Sequence, residues 1–255
     1  MFLEAKELLD EQKLELRKIR ENLAVKPGLA LVWVGDDPQT GAFVRAKQRY
    51  AQELDCQFFL HKFDHLGERQ LGALIESLNQ NKFVHGIVLQ LPLPQEINID
   101  RMIALINPDK DVDGLGRNSK FEPPTPSGII ALLIKNKIDP GKLKTVILGA
   151  GRLVGAPLAK VFNARNWNYS QIDHSAETKI DEIKSADLLI ACTGVDGLIT
   201  PEMVRKEMVL IDGSGVDVDV DRLEPLVAAI TPKKGAIGPL TVANLFKNLL
   251  QAVSS

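Results

Sequence analysis

The sequence predicts an α/β protein of two domains with parallel sheets, and three observations carry that expectation. Short runs rich in Val, Ile and Leu alternate with charged segments of helical period along most of the 255 residues. A glycine-rich turn, Gly149-Ala150-Gly151-Arg152-Leu153-Val154-Gly155, joins one of those runs to a helical segment. A proline-rich stretch, residues 121–127, interrupts the alternation near mid-chain and places a boundary there.

Each element has its own local reason. Residues 1–25 carry Leu8, Leu9, Leu14, Leu16, Ile19 and Leu23 at near-helical spacing with charges between them, an amphipathic helix that Pro27-Gly28 ends. LALVWVG (29–35) is apolar, β-branched and bounded by turn residues, so it predicts a buried strand. After the DDPQTG loop, residues 42–54 predict a helix, Gln57–Lys62 a short strand and residues 67–80 another helix. GIVLQLPLP (86–94) predicts a strand running into a rigid proline segment. Residues 99–106 predict a helix, followed by the polar loop NPDKDVDGLGRN. Beyond PPTPSG come a helix at 128–137, a strand at Thr145–Leu148, the glycine turn, a helix at 153–165 and a strand at Tyr169–Ile172. Strands at 186–194 and 208–215, with a helix over PEMVRKE (201–207) between them, continue the alternation. A last helix spans Val242–Val253.

Composition narrows the function. With 45% hydrophobic and 25% charged residues and a net charge of −2, no global basic field argues for nucleic acid or an anionic membrane. The only two cysteines, Cys56 and Cys192, are far apart, which excludes a disulfide framework or a cysteine zinc site. Four scattered histidines show no ligand spacing, so no metal is expected. Glu4, Asp10 and Glu11 interrupt any signal-peptide core, and no apolar stretch approaches the roughly 20 residues of a membrane span. A soluble cytoplasmic protein is the expectation.

Two groups of residues are candidates for chemistry. Gly149, Ala150, Gly151 and Gly155 form a GxGxxxG turn, with Val154 where a third glycine usually stands. Small residues there let backbone N–H groups approach a pyrophosphate, and the helix start favours an anion. A tight strand-to-helix turn needs glycine for structural reasons too. Asp173 follows the next strand, where a carboxylate can bond a ribose 2′-hydroxyl and would repel a 2′-phosphate; an exposed acid at a strand end is the alternative. In the first half, Phe43 and Lys47 lie one helical turn apart, and Gln90 puts an amide at the end of a buried strand. Asp109, Asp111 and Asp113 make an acidic turn without the calcium-loop spacing, which reads as an ordinary loop.

VGDDPQTGAFVRAK, GIVLQLPLP, NPDKDVDG, PPTPSG, GAGRLVGAP and GAIGPLTVANL, in that order, resemble the bifunctional methylenetetrahydrofolate dehydrogenase/cyclohydrolase family over nearly the whole chain. The resemblance implies two α/β domains with the active-site cleft between them. The first, residues 1–120 plus 236–255, would be catalytic, and the second, 121–235, a Rossmann-like dinucleotide-binding domain. It implies oxidation of 5,10-methylenetetrahydrofolate with NADP, or NAD in some members, and hydrolysis of the methenyl product to 10-formyltetrahydrofolate. A homodimer acting on tetrahydrofolate derivatives follows from the same resemblance.

By motif, Lys47 matches the active-site lysine, Gln90 the glutamine that orients it, and Asp113 the acid that holds the pterin. Phe43, Gly235, Gly238 and Pro239 match substrate-binding positions, and Gly149, Ala150, Gly151, Gly155, Asp173, His174 and Ser175 cofactor-binding ones. Some positions depart from the family pattern. Phe43 replaces a tyrosine, Ala150-Gly151 replace Arg-Ser, Asp173 stands before His174-Ser175 in place of a cysteine, and TPKKGAIGP replaces TPVPGGVGP. The segment between Ile211 and Ile230 is compressed. These departures leave room for NAD, for a dehydrogenase with weak or no cyclohydrolase, or for a non-catalytic folate- or nucleotide-binding relic.

Overall fold

Every residue of one strand, Gly28–Val34, is buried, as a parallel strand covered on both faces requires. The structure, a computed structural model, describes residues 1–173 and 176–254. In chain order the first elements are α1 (Lys6–Glu21), β1 (Gly28–Val34), α2 (Pro38–Glu53), β2 (Gln57–Phe63), α3 (Glu68–Gln80), β3 (Gly86–Gln90) and α4 (Ile99–Ala104). The strands form a parallel sheet in the order β2-β1-β3. Successive side chains alternate between two cores. Leu29, Leu31, Trp33 and Val88 pack with Val44, Ala51 and Leu54 and with Leu245, Phe246 and Leu249 near the C-terminus. Ala30, Val32, Ile87 and Leu89 pack with Leu71, Ile75 and Leu78 of α3 and with Met102 and Ile103 of α4. Each fully buried aliphatic side chain contributes about 1.5–3 kcal/mol.

The later elements are α5 (Pro124–Lys135), β4 (Thr145–Leu148), α6 (Gly155–Ala164), β5 (Tyr169–Ile172), α7 (Ile180–Lys184), β6 (Leu188–Ala191), β7 (Val209–Asp212), α8 (Val220–Leu223), β8 (Ala229–Ile230) and α9 (Ile237–Ser254). Their strands form a second parallel sheet, β5-β4-β6-β7-β8. Ile147, Ile190 and Ile211 pack with Ile129 and Leu132 of α5 and Phe162 of α6. Val146, Leu189 and Leu210 pack with Ile183, Met203 and Leu223 on the opposite side. After β4 the chain first adds β5 on one side and then β6 on the other. That reversal is the switch point at which doubly wound sheets bind ligands, beyond the carboxyl ends of the strands.

Contacts group the chain into two units, Glu11–Pro124 with Val242–Ser255, and Met1–Asp10 with Thr125–Thr241. This differs from a division at 120 and 236. The first residues extend the edge of the second sheet: Leu3 N–H donates to the Ile230 carbonyl at 2.8 Å, and Ile230 N–H to Met1 at 3.0 Å. Residues 237–240 stay with that unit because Ile237 and Leu240 pack in the core beside Ile129.

Some expected boundaries move for local reasons. Residues 201–207 form only a short 3₁₀ turn, Pro201–Met203, because buried Val204 is extended and leads the chain into β7. The strand at 86–94 ends at Gln90, since Pro92 has no N–H for a ladder. Strands 186–194 and 208–215 shorten to β6 and β7, their glycine-containing ends forming turns. The last helix begins at Ile237, five residues before Val242, with Pro239 in its first turn where a missing N–H costs nothing. Two-residue β8 is too short to have been read from the pattern.

Candidate active site

Lys47 breaks the rule that charges stay off the buried face of a helix. Asp37 caps α2, accepting from Thr40 N–H at 2.6 Å, and Pro38 opens the helix. From there Thr40, Val44, Lys47 and Ala51 recur along the buried stripe. The lysine is 7% exposed, and its Nζ donates to Gln90 Oε1 at 2.8 Å. Gln90 closes β3 opposite Trp33, and its Nε2 donates to the Leu91 carbonyl at 3.0 Å. That second bond fixes which end of the amide faces the lysine.

Asp113 arrives on a loop held at three places. Lys110 Nζ donates to the carbonyls of Leu78, Asn79 and Asn81 at the end of α3, at 3.1, 2.7 and 2.9 Å. Buried Asp111 accepts from Gly116 N–H at 2.7 Å and Leu115 N–H at 3.4 Å. Asn248 of α9 donates through Nδ2 to the carbonyls of Val112 and Glu122, both at 2.9 Å. Gly114 turns the chain at a φ of 66°, and a Cβ there would lie 2.8 Å from the Phe121 carbonyl oxygen. The acidic turn is thus a structural loop in which Asp111 turns inward, Asp109 pairs with Lys120 at the surface and Asp113 faces Lys47.

Burial and mutual attraction compete at this group. Burial lowers the Lys47 pKa below the usual lysine value, and the Asp113 charge opposes it. Burial raises Asp113, and Lys47 opposes that in turn. Asp111 is pushed up to about 6 by burial, with the Gly116 N–H working the other way. Phe43 lies one turn before Lys47 and is 49% exposed, an apolar ring left facing outward.

In the other unit the glycine turn separates into two kinds of position. Gly149 has a φ of 106°, and a Cβ there would lie 2.7 Å from the Cys192 carbonyl oxygen. At Gly155 a Cβ would lie 2.2 Å from the Gly149 oxygen. The chain's own packing demands both glycines. At Gly151 a Cβ would meet nothing closer than Cys192 O at 3.8 Å, and the residue is exposed beside exposed Ala150. This open backbone before the ten-residue helix α6 fits the close approach of a pyrophosphate. Gly149 N–H also donates to Ile172 at 2.7 Å, so Asp173 follows β5 directly beside the turn. His174 and Ser175 lie outside the described residues.

The structure therefore brings Lys47, Gln90 and Asp113 together in one unit, with Phe43 a turn away. The glycine turn and Asp173 lie in the other. Gly235, at a φ of 87°, precedes α9, and Gly238 and Pro239 lie in its first turn, within the glycine turn's unit. Sequence reasoning missed Lys110 and Asn248. Asn248 had a signal: like Lys47, it is polar on a buried helix stripe, beside Leu245 and Leu249.

One unit carries a buried lysine and amide with the half-buried Asp113 carboxylate, and the other a doubly wound sheet with a glycine turn, which defines an α/β enzyme of the dinucleotide-binding class. The family model described as "Tetrahydrofolate dehydrogenase/cyclohydrolase, catalytic domain" matches residues 3–113, and "Tetrahydrofolate dehydrogenase/cyclohydrolase, NAD(P)-binding domain" matches 123–255. The chain belongs to this tetrahydrofolate dehydrogenase/cyclohydrolase family. It is 33% identical to the bifunctional protein FolD of Bacillus subtilis, over 98% of this chain and 96% of that one. The crystal structure of the bifunctional enzyme FolD from Campylobacter jejuni superposes with a TM-score of 0.91 at 29% identity, covering 100% and 98% of the two chains. A 5,10-methylenetetrahydrofolate dehydrogenase from the silkworm, Bombyx mori, gives 0.89 at 29% identity, covering 100% and 98%.

Two outcomes are expected. Gly155→Ala should lower thermal stability by about 1–3 kcal/mol or more through overpacking, whereas Gly151→Ala should leave it within about 0.5 kcal/mol; equal losses in melting experiments would refute the distinction. In Asp113→Asn the opposing charge is gone, so Lys47 should titrate still lower than in the parent protein. Nitrogen NMR of labelled lysine reads this directly, and an unchanged or higher midpoint would contradict the coupling.

Proposed function

We propose that this protein oxidises 5,10-methylenetetrahydrofolate with NADP and hydrolyses the methenyl product to 10-formyltetrahydrofolate. The observation that carries the reading is Lys47, buried on α2 and held by Gln90 at 2.8 Å in the same unit as Asp113. Each residue then has a task. Asp113 offers a carboxylate to the N–H edge of the pterin, a charge-assisted contact for which it must be ionised. Lys47 favours that ionisation, since its charge opposes the upward push of burial. The lowered pKa of Lys47 raises its neutral fraction, and a neutral amine can take a proton from the water that attacks the methenyl carbon. Gln90 accepts from Lys47 whether the nitrogen is an ammonium or an amine, so orientation survives the proton transfer. Phe43 supplies a ring face for the aminobenzoate, without a hydroxyl. Gly235, Gly238 and Pro239 contribute to the substrate site by their match to the family motif.

Bound NADP supplies the nicotinamide carbon that accepts the hydride. Gly149 and Gly155 shape the turn, Ala150 and Gly151 leave backbone open to the pyrophosphate, and His174 and Ser175 are ligands by motif alone. NAD is a second reading, favoured by Asp173, which follows β5 beside the turn where a carboxylate accepts a ribose hydroxyl. A cytoplasmic homodimer handling tetrahydrofolate derivatives, rather than nucleic acid or membrane, completes the proposal. A net charge of −2 gives no field for nucleic acid or an anionic membrane, and among the described residues no helix is long and apolar enough to cross a membrane.

The test follows absorbance for both half-reactions. The protein should accelerate NADP reduction and methenyltetrahydrofolate decay, and Lys47→Met should slow the decay by roughly 10²–10⁴-fold while dinucleotide binding persists. Reduction without accelerated decay would leave a dehydrogenase alone, the outcome that Phe43 favours. Comparing kcat/KM for the two dinucleotides is expected to put NADP ahead, and a strong NAD preference would reverse that assignment in favour of Asp173.

A further inference from the structure

Asp217 is completely buried and takes no part in the proposed hydride transfer or hydrolysis. Its carboxylate accepts four hydrogen bonds from three consecutive residues of the loop that leaves β6. Oδ2 accepts from Thr193 N–H at 2.6 Å. Oδ1 accepts from Gly194 N–H at 2.7 Å, Val195 N–H at 2.9 Å and Thr193 Oγ1 at 3.0 Å. The aspartate is itself anchored. Its N–H donates to Ser214 Oγ at 3.2 Å, and that hydroxyl donates to Asp212 Oδ1 at 2.9 Å, at the end of β7. One line of hydrogen bonds therefore ties the carboxyl end of β7 to the loop at the carboxyl end of β6.

That loop lies against the glycine turn. A Cβ on Gly149 would come within 2.9 Å of the Cys192 carbonyl carbon and 3.2 Å of Thr193 N. Gly194 has a φ of 78°, and a Cβ there would point into open space. Its glycine answers to conformation, not to crowding. The loop therefore presents bare backbone at the switch point between β4 and β6.

We infer that Asp217 is a positioning residue for the dinucleotide: its buried carboxylate holds Thr193-Gly194-Val195 as the wall of the cofactor site on the β6 side. The inference rests on the reading of the glycine turn as that site. Because Asp217 consumes the loop's three N–H groups, the loop offers the ligand shape and carbonyls in place of anion-binding donors. Loss of the carboxylate leaves those donors unsatisfied and releases the wall.

The cyclohydrolase step needs no dinucleotide, so it serves as an internal control in the intact protein. In Asp217→Asn, the Kd for NADP by calorimetric titration and its KM in dehydrogenation should both rise at least tenfold. The kcat/KM for methenyltetrahydrofolate hydrolysis should stay within twofold. Thr193→Val should move the dinucleotide constants in the same direction by a smaller factor, and Thr193→Ser, which keeps the hydroxyl, should restore them. Unchanged dinucleotide constants, or hydrolysis falling in parallel with them, would overturn the inference. If Asp217→Asn fails to fold, the Thr193 pair decides by the same criteria. A wild-type protein that binds neither NADP nor NAD would defeat the underlying reading of the turn, a result distinct from either.

Discussion

A lysine on the apolar stripe of α2 is the constraint around which the first unit is built. Leaving an ion uncompensated in a protein interior costs several kcal/mol, far above the 0.5–1.5 kcal/mol net return of an ordinary hydrogen bond. Lys47 can stay there only with an acceptor at bonding distance and a carboxylate near enough to favour its charge. Gln90 meets the first need at the end of β3, where the Leu91 carbonyl takes its side-chain Nε2 and leaves Oε1 for the lysine. Asp113 meets the second and shares the difficulty, since burial raises its pKa while the lysine opposes the rise. Burial thus pushes both groups toward their neutral forms, and each charge holds the other back.

Holding Asp113 in that balance takes more than the residue itself. Lys110 fastens the loop to three carbonyls at the end of α3, Asp111 folds the segment that follows, and Asn248 joins the carbonyls on either side. They remove alternative positions for one carboxylate, and rigid placement is the larger share of what such a site provides. The dinucleotide unit uses the same device at Asp217, where a buried carboxylate collects N–H groups and a backbone wall results.

Most strands were legible because parallel sheets covered on both faces read as apolar runs, and the GLALVWV of β1 is a clear instance. The glycine turn was legible as a turn, but not which glycines the chain needs for itself. Only the distances from Gly149 and Gly155 to neighbouring carbonyls separate them from Gly151. Lys47 could have been flagged without any resemblance, since a helical wheel of α2 puts it in line with Val44 and Ala51. The links from Lys47 to Gln90, 43 residues on, and from Asn248 to Val112, 136 residues back, are tertiary facts that no local pattern encodes. Residues 201–207 misled because a local helical pattern yielded to the need to bury Val204 and feed β7.

Two acidic strings show why motif and role must be argued separately. In Asp109-Lys110-Asp111-Val112-Asp113, alternate aspartates differ in fate: Asp111 turns inward to the backbone, and Asp113 pairs electrostatically with Lys47. In Asp217-Val218-Asp219, the first carboxylate collects the β6 loop, while the second caps α8 by accepting from Arg222 N–H at 3.4 Å. The chemical group is the same in all four cases. A carboxylate whose oxygens are filled by backbone donors has little left for a ligand and acts through the shape it imposes. One whose chief partner is a movable charge keeps the capacity to bind and to exchange protons. Of these four only Asp113 is of the second kind; Asp109 also pairs with a lysine, Lys120, but at the exposed surface, so membership of an acidic run does not decide a carboxylate's role.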